Sequence, residues 1–444
     1  MYNERLQNVS VLGAAGKMGS GILLLTAVEM ADLQLKPENK NKSFCLNAID
    51  VSPQALTGLY GYLKSQLKKI AEKKLIQLRE VYKENRELIE NSEIIDQYVD
   101  DVLKLVLFST KVESTYESSI IFEAIVENSD IKVATFKQIL ANSKKDPWFL
   151  TNTSSVPIGE LDEKAEMKGK ILGFHFYNPP AVQKLVELIT TKNTNPELIE
   201  FSKIYAKNLR KVLVPSNDFA GFIGNGHFMR DMLFGIKQAT QLSKEMSLPE
   251  AIYAVNRVSQ DFLIRPMGIF QLMDYVGVDV CQKILIVMSS RLNKSELHSD
   301  LIDKLISLDI KGGQNSDGSQ KPGILKYEKG KPVAIYSIDK KEYVPIESFQ
   351  KNVDAKLGQL PASHKPWKDI VGNKQKESLL VGYFKELKSM STIGASLAKE
   401  YHLSSKNIGL ELVSDKISDN ADNVNTVMLT GFFHAYGPIN SYLD

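Results

Sequence analysis

A histidine and a glutamate are the residues of this chain whose types and spacing best suit acid–base chemistry. His175 directly follows an apolar segment at 169–174 that we predict to be a strand, and Glu187 lies in the next such segment, 184–189. An imidazole titrates near neutral pH and can take a proton from an alcohol while hydride leaves the carbon. A carboxylate on its other nitrogen fixes the tautomer and stabilises the imidazolium. We therefore expect these side chains to meet, although a strand-end histidine without such context is more often structural.

A glycine cluster near the amino end is typical of a turn that binds a dinucleotide. It follows the strand predicted at Asn8–Leu12 and opens a helix, and Asp50 ends a second predicted strand at 44–49. Glycines let the backbone approach a pyrophosphate on the helix N-terminus, and the downstream acid binds the ribose of NAD and disfavours NADP. The alternative is a tight turn without a ligand. The predicted cofactor contacts are Gly13, Ala14, Ala15, Gly16, Lys17, Met18, Gly19 and Asp50.

Two features of this cluster depart from the usual fingerprint. The glycine spacing is G-x-x-G-x-x-G instead of G-x-G-x-x-G. A polar stretch at 36–42 resembles an inserted loop, and it places Asp50 further downstream than usual. Both features weaken the preference for NAD over NADP.

Composition excludes several other classes of protein. The 55 Lys and Arg residues nearly balance the 53 Asp and Glu residues, which argues against nucleic-acid binding by bulk charge. The two cysteines, Cys45 and Cys281, lack metal-ligand spacing, so we expect no metal site and no disulfide framework. No apolar run is long enough for a membrane span, and the first residues do not resemble a secretory signal. We expect a cytoplasmic enzyme.

The order of elements predicts an α/β fold, a Rossmann-type doubly wound sheet followed by all-α C-terminal domains. Further strands are predicted at 119–124, Trp148–Thr151 and 211–214, and a Lys- and Glu-rich helical region runs from 60 to 105. A polar loop at 311–318 precedes a hairpin of 333–338 with 343–346. The predicted domains are a NAD-binding domain at 1–216, a helical substrate or dimerisation domain at 217–312, a loop and hairpin linker at 313–360, and a second helical domain at 361–444.

The last helical domain is a candidate repeat of the first. QLSKE at 241–245 is similar to SLAKE at 396–400, and the pair Val-Ser recurs at the same offset in both regions. A duplication would give either an internal pseudo-dimer or a homodimer surface, and the sequence does not decide between them.

Several motifs in order resemble the signature of the 3-hydroxyacyl-CoA dehydrogenase family over roughly residues 8–330. They are FEAIVEN at 122–128, NTSS at 152–155, HFYNP at 175–179, LVE at 185–187, GFIGN at 221–225, RPMG at 265–268 and DYVG at 274–277. The resemblance implies NAD as cofactor and an acyl-CoA as substrate. The implied reaction is the oxidation of an L-3-hydroxyacyl-CoA to the 3-ketoacyl-CoA, in fatty-acid β-oxidation or short-chain metabolism.

The resemblance also implies roles for individual residues. His175 would be the catalytic acid/base, Glu187 its partner, and Ser154 and Asn225 the contacts of the substrate's 3-oxygen. Ser154 and Asn178 would lie near the nicotinamide, Glu127 and Lys132 would contact the cofactor, and Lys73 would meet the CoA phosphates. Simpler interpretations are that Ser154 and Asn152 cap the turn into the helix after 156–157, that Asn225 caps the helix that follows it, and that Glu127 and Lys132 form an exposed helical pair.

Departures from the family pattern leave substrate preference open. Ala220 and Gly226 replace the family's Pro and Arg on either side of GFIGN, and the family's glycine-rich loop is reduced to QKPGIL at 320–325. The alternatives are a related dehydrogenase of a hydroxy acid without CoA and a non-catalytic NAD-binding protein.

Overall fold

The computed structural model of the chain describes residues 1–39, 41–315 and 318–444. Parts of the predicted loops at 36–42 and 311–318, namely Lys40, Ser316 and Asp317, lie outside the described residues. The chain divides into two compact units, Met1–Asp218 (unit 1) and Phe219–Asp444 (unit 2). The boundary falls next to the predicted one at 216, while the finer division of the second half stays a prediction.

Within the described residues of unit 1, eight strands form one sheet in the order β3-β2-β1-β4-β5-β6-β7-β8. Strands β1 to β6 are parallel, and β7 and β8 run the opposite way. The chain passes from β1 outward to β2 and β3 and then returns to β4, so the β1–β4 edge is the switch point where such sheets bind ligands. The strands are β1 (Asn8–Leu12), β2 (Cys45–Ile49), β3 (Val106–Ser109), β4 (Ile120–Glu123), β5 (Trp148–Thr151), β6 (Ile171–Phe176), β7 (Leu185–Ile189) and β8 (Val212–Ser216).

The central strands are buried on both faces, because helices cover the sheet on each side. These helices are α1 (Tyr2–Arg5), α2 (Gly19–Gln34), α3 (Pro53–Val81), α4 (Asn91–Lys104), α5 (Ser129–Asn142), α6 (Ile158–Lys164) and α7 (Pro196–Asn208). The predicted Rossmann-type sheet is confirmed.

The prediction of helix from 60 to 105 is wrong in detail, because two helices occupy this region. The chain turns after α3, and Glu93 then accepts hydrogen bonds of 2.8 Å from the backbone N–H groups of Ile89 and Glu90. This contact satisfies donors at a new helix N-terminus and so starts α4. The sequence reading also missed β3, whose four residues pair with β2.

Unit 2 is mainly helical, as predicted. Its helices are α8 (Gly224–Leu242), α9 (Leu248–Arg257), α10 (Ile269–Val276), α11 (Val278–Leu292), α12 (Asp300–Ser307), α13 (Gln350–Leu357), α14 (Trp367–Ile370), α15 (Lys376–Ser389), α16 (Ile393–Ser414) and α17 (Ala421–Gly431). The predicted hairpin is confirmed as β10 (Lys331–Ser337) and β11 (Glu342–Pro345), and β9 (Leu325–Glu328) adds a third strand to it.

The structure does not support the proposed alignment of the helical repeat. Gln241 lies in the last turn of α8, whereas Ser396 lies in the first turn of α16. The matching letters therefore occupy opposite ends of their helices. The two helices do pack together, since the Gln238 side chain donates to the Leu397 carbonyl at 3.1 Å.

Asp274 is the buried carboxyl group that holds the small sheet of unit 2 in place. It accepts hydrogen bonds from the backbone N–H groups of Ile324 (2.7 Å) and Leu325 (2.8 Å) and from the Tyr327 hydroxyl (2.9 Å). Burial raises the pKa of Asp274 to about 7 despite these donors. The loop before β9 is thus fixed to α10.

Among the described residues, none of the helices combines the length and apolar character that crossing a membrane requires.

Candidate active site

The pair predicted to carry the acid–base chemistry is in contact within unit 1. His175 and Glu187 are directly opposite each other in the antiparallel pairing of β6 with β7, so their side chains leave the same face of the sheet. Nδ1 of His175 lies 3.0 Å from Oε2 of Glu187, and the Glu187 side chain is fully buried. His175 is inside β6, which extends to Phe176, two residues beyond the end of the predicted strand. A buried carboxylate at this distance fixes the ring orientation and favours the tautomer with its proton on Nδ1.

A third residue that the sequence reading missed, Tyr177, joins this pair. Its hydroxyl donates to Oε2 of Glu187 at 2.8 Å, and its ring centroid lies 5.0 Å from that of His175. Desolvation, together with the charge of Glu187, raises the pKa of Tyr177 well above its usual value, which keeps the hydroxyl a donor. Its position two residues after His175 indicated that the two side chains share a face, but its contact with Glu187 depends on the pairing of β6 with β7.

The loop after β5 is held by one carboxylate, that of Glu127. Its Oε1 accepts hydrogen bonds from the Thr153 hydroxyl (2.7 Å), the Ser154 backbone N–H (2.9 Å) and the Ser155 backbone N–H (3.0 Å). The Ser154 hydroxyl lies 3.4 Å from the same oxygen. Burial opposes ionisation of Glu127, but the nearby Lys132 ammonium and these donors lower its pKa. Glu127 therefore positions the loop that carries Ser154.

Glu127 and Lys132 are not an exposed helical pair, because Lys132 is 1% exposed. Its ammonium lies 2.6 Å from Oε1 of Glu123, which is fully buried, and 3.3 Å from Oε2 of Glu127. Glu123 also accepts a hydrogen bond from the Thr151 hydroxyl at 2.5 Å. The network joins the ends of β4 and β5 to the start of α5. This placement gives Lys132 a supporting position, and its predicted contact with the cofactor stays a prediction.

Asn152 links the same loop to the strand that carries the histidine. Its side-chain oxygen accepts a hydrogen bond of 2.8 Å from the Phe176 backbone N–H, next to His175. The loop with Ser154 and the end of β6 are therefore fixed to each other within unit 1. Asn152 was considered from the sequence as a helix cap, and the structure gives it this cross-strand contact.

The glycine turn has the shape that a dinucleotide requires. Gly13 has a φ of +73°, and a Cβ there would overlap the carbonyl oxygen of Ala124 after β4. A Cβ at Gly19 would overlap the carbonyl oxygen of Gly13. These glycines thus let the chain fold back at the β1–β4 switch point. Met18, the N-cap residue of α2, makes no side-chain cap hydrogen bond, so the helix N-terminus suits an anionic phosphate.

Asp50 lies beside this turn, at the end of β2. Its carboxylate accepts hydrogen bonds from the backbone N–H groups of Ala15 (3.0 Å) and Ser52 (3.2 Å). A negative charge at this place suits two ribose hydroxyls and repels a ribose phosphate. The residues present therefore fit NAD.

The remaining predicted site residues lie in three different elements. Asn178 is in the turn after β6, Lys73 is exposed on α3, and Asn225 is the second residue of α8 in unit 2. The turn with Asn178 is held by Lys211, the residue before β8, because its ammonium donates to the carbonyls of Pro180 and Gln183, each at 2.5 Å. Burial lowers the pKa of Lys211 to about 8. The roles of Asn178, Lys73 and Asn225 stay predictions.

One exposed group in unit 2 has side chains of the types that bind metal ions. The ligand atoms of His298, Asp300 and Asp303 lie within 4.8 Å of one another. Exposed acidic groups of this kind are common without an ion. The predicted absence of a metal stays a prediction.

The carboxyl edge of one sheet carries both a glycine turn that suits a dinucleotide and an imidazole, that of His175, which Glu187 holds in place. This combination is typical of an NAD-dependent oxidoreductase. The comparisons with known proteins agree. The family model described as the NAD-binding domain of 3-hydroxyacyl-CoA dehydrogenase matches residues 8–219, and the model for the C-terminal domain of that enzyme matches residues 236–321.

A probable 3-hydroxybutyryl-CoA dehydrogenase of Bacillus subtilis is 30% identical over 292 residues, which are 66% of this chain and 88% of the relative. A probable 3-hydroxyacyl-CoA dehydrogenase of Caenorhabditis elegans is 28% identical over 64% of this chain and 81% of its own length. The crystal structure of 3-hydroxybutyryl-CoA dehydrogenase from Escherichia coli K12 has the same fold, with a TM-score of 0.63 and 18% identity. The superposition covers 98% of this chain and 90% of the Escherichia coli chain.

The chain belongs to the 3-hydroxyacyl-CoA dehydrogenase family. It is an oxidoreductase with NAD as its cofactor. A non-catalytic role and a substrate without CoA are not favoured by these findings.

Proposed function

We propose that this chain oxidises an L-3-hydroxyacyl-CoA reversibly to the 3-ketoacyl-CoA, with His175 as the catalytic acid/base. The observation that carries the proposal is the 3.0 Å contact between Glu187 and Nδ1 of His175, at the same sheet edge as the glycine turn. Because Glu187 engages Nδ1, Nε2 is the nitrogen that takes the proton of the substrate's hydroxyl group. Bound NAD would supply the acceptor for the hydride that leaves the carbon bearing this hydroxyl group. In the reverse direction the imidazolium returns the proton to the oxygen.

Charge on the substrate's 3-oxygen changes during this reaction, so donors beside that oxygen assist it. We assign this role to the Ser154 hydroxyl and to Asn225. Glu127 supports the assignment for Ser154, since it holds the backbone on either side of that residue. The positive charge of Lys73, exposed on α3, suits the phosphates of CoA.

The cofactor contacts follow from the turn described above. The pyrophosphate of NAD would lie on residues 13–19, the ribose at Asp50, and the nicotinamide end near Ser154 and Asn178. Glu127 and Lys132 would contribute at this end mainly by holding the loop after β5. We also propose that the chain forms either a homodimer or an internal pseudo-dimer. The proposal includes a cytoplasmic location and no nucleic-acid partner.

The test is a set of initial rates, followed by NADH absorbance, with 3-hydroxyacyl-CoA substrates of increasing chain length and with NAD and NADP compared. We expect turnover of the thioesters with NAD and a loss of about a thousandfold or more in H175Q. H298Q is the matched control, because His298 is an exposed histidine of unit 2. Equal rates for H175Q and wild type would overturn the assigned role. Faster turnover of free 3-hydroxy acids than of their CoA thioesters would favour the alternative substrate class.

A further inference from the structure

Two donors share one oxygen of the buried carboxylate in the active site. The Tyr177 hydroxyl lies 2.8 Å from Oε2 of Glu187, and Nδ1 of His175 lies 3.0 Å from the same atom. The arrangement agrees with the local geometry, since Glu187 is the cross-strand partner of His175 and Tyr177, the first residue after β6, lies two positions beyond His175.

We propose that Tyr177 is a positioning residue of this reaction, which holds the Glu187 carboxylate toward His175 and limits how strongly that carboxylate stabilises the protonated imidazole. The inference deepens the proposed function and rests on it. A carboxylate oxygen that accepts two hydrogen bonds gives less of its charge to either donor. Glu187 is fully buried, so bulk water does not readily replace a donor that is lost.

The balance matters because His175 must both take and return a proton. An imidazolium that is stabilised too strongly stays protonated at higher pH and is a poor base for the oxidation. A carboxylate that is free to change its rotamer would no longer orient the ring. One hydroxyl placed at the shared oxygen acts on both properties.

Two other charged groups at this edge of the sheet are held by contacts of their own. They are Glu127, which holds the loop after β5, and Lys211, the residue before β8, whose ammonium donates to the carbonyls of Pro180 and Gln183. These contacts do not involve the Tyr177 hydroxyl, so we expect them to persist when it is removed. A change in pH dependence on its removal therefore reports the Glu187 contact.

The experiment compares Y177F with wild type in the oxidation of a 3-hydroxyacyl-CoA over pH 5 to 10. We expect the acid limb of kcat/KM to move about 0.5 to 1 pH unit upward, because Oε2 of Glu187 is then no longer shared with the Tyr177 hydroxyl and stabilises the protonated His175 more strongly. We expect kcat at the optimum to fall about three- to tenfold and KM to stay within about twofold. The matched control is Y205F, which removes another buried tyrosine hydroxyl of unit 1, one that lies 2.8 Å from the Thr26 hydroxyl.

A double-substitution cycle separates this role from a purely structural one. If Tyr177 acts through Glu187, adding Y177F to E187Q should change kcat less than twofold and leave the pH profile of E187Q unmoved. The proposal would be overturned if Y177F lowered kcat by the same factor in E187Q as in the wild-type enzyme. It would also be overturned if the acid limb of the Y177F profile matched that of wild type. If Y177F folds poorly, a fluorinated tyrosine at this position, which is a stronger donor, should move the limb downward, and no movement would overturn the proposal.

The two hypotheses fail differently. Full turnover by H175Q would reject the proposed function, whatever Y177F does. Loss of turnover in H175Q, combined with a Y177F enzyme that behaves like Y205F, would reject the role of Tyr177 alone.

Discussion

The sharpest consequence of the site is the effect of removing the charge of Glu187 while keeping its shape, as E187Q does. With Nδ1 and Oε2 3.0 Å apart, the centres of charge of imidazolium and carboxylate are separated by about 4 Å. At the effective dielectric constant of about 20 that suits protein sites, this pair is worth about 4 kcal/mol. The glutamine oxygen can still accept one hydrogen bond, which returns about 1 kcal/mol. The net loss of about 3 kcal/mol corresponds to a fall in kcat of about a hundredfold or more.

The assay measures kcat and KM for oxidation of a 3-hydroxyacyl-CoA, NADH binding by fluorescence, and the thermal midpoint of unfolding. We expect kcat to fall about 100- to 1,000-fold. NADH affinity should stay within about twofold, because β4, β5 and β6 separate the strand of Glu187, β7, from β1 and its glycine turn. E117Q is the control, because Glu117 is an exposed glutamate of unit 1 paired with Lys144. A folded E187Q enzyme with kcat within about threefold of wild type would refute the electrostatic argument.

Three further predictions concern the supporting structure. G13A should weaken NADH binding about ten- to a hundredfold, because a Cβ there overlaps a backbone carbonyl at a φ of +73°; unchanged affinity in a fluorescence titration would contradict this. K132M should lower the free energy of unfolding by about 3 to 5 kcal/mol in urea titrations, since Glu123 is left buried without its cation, whereas K137M at an exposed lysine should change it little. Burial raises the pKa of Asp274 to about 7, whereas the pKa of an aspartate in the unfolded chain is about 4. The stability that this group contributes is therefore fully present below about pH 4 and is lost as the pH rises toward 7, by about 1.4 kcal/mol per pH unit. D274N does not titrate, so its deficit in thermal stability relative to wild type should be largest at pH 5 and smallest at pH 8, and a deficit that grows with pH would show the sign to be wrong.

Much of the site could be predicted because its pieces are local in sequence. The strand Asn8–Leu12 has the predicted bounds, since an apolar β-branched run ending in glycine is a self-contained signal. The hairpin of unit 2 was predicted for the same reason. The strand β9 was not predicted, because Lys326 and Glu328 interrupt its four residues and leave no apolar run. β3 was missed because it directly follows a helical pattern that hides a short strand.

The pairing of His175 with Glu187 shows where local information ends. Alternation along each strand decides which residues share a face, but the register between two strands decides whether they meet. A slip of one residue would place Glu187 on the opposite face from His175. The observed register puts the two residues directly opposite each other.

The sequence by itself determined the class of fold and the glycine turn, and it named His175 and Glu187, the two residues that the structure brings into contact, because each of these features lies in a short run of residues. Tertiary structure alone decided that Lys132 is enclosed by two carboxylates and that Tyr177 shares an oxygen with His175. The physical reason is that charge and burial depend on neighbours from other strands. A lysine in a helical pattern gives no sign of being buried until the sheet edge beside it has formed.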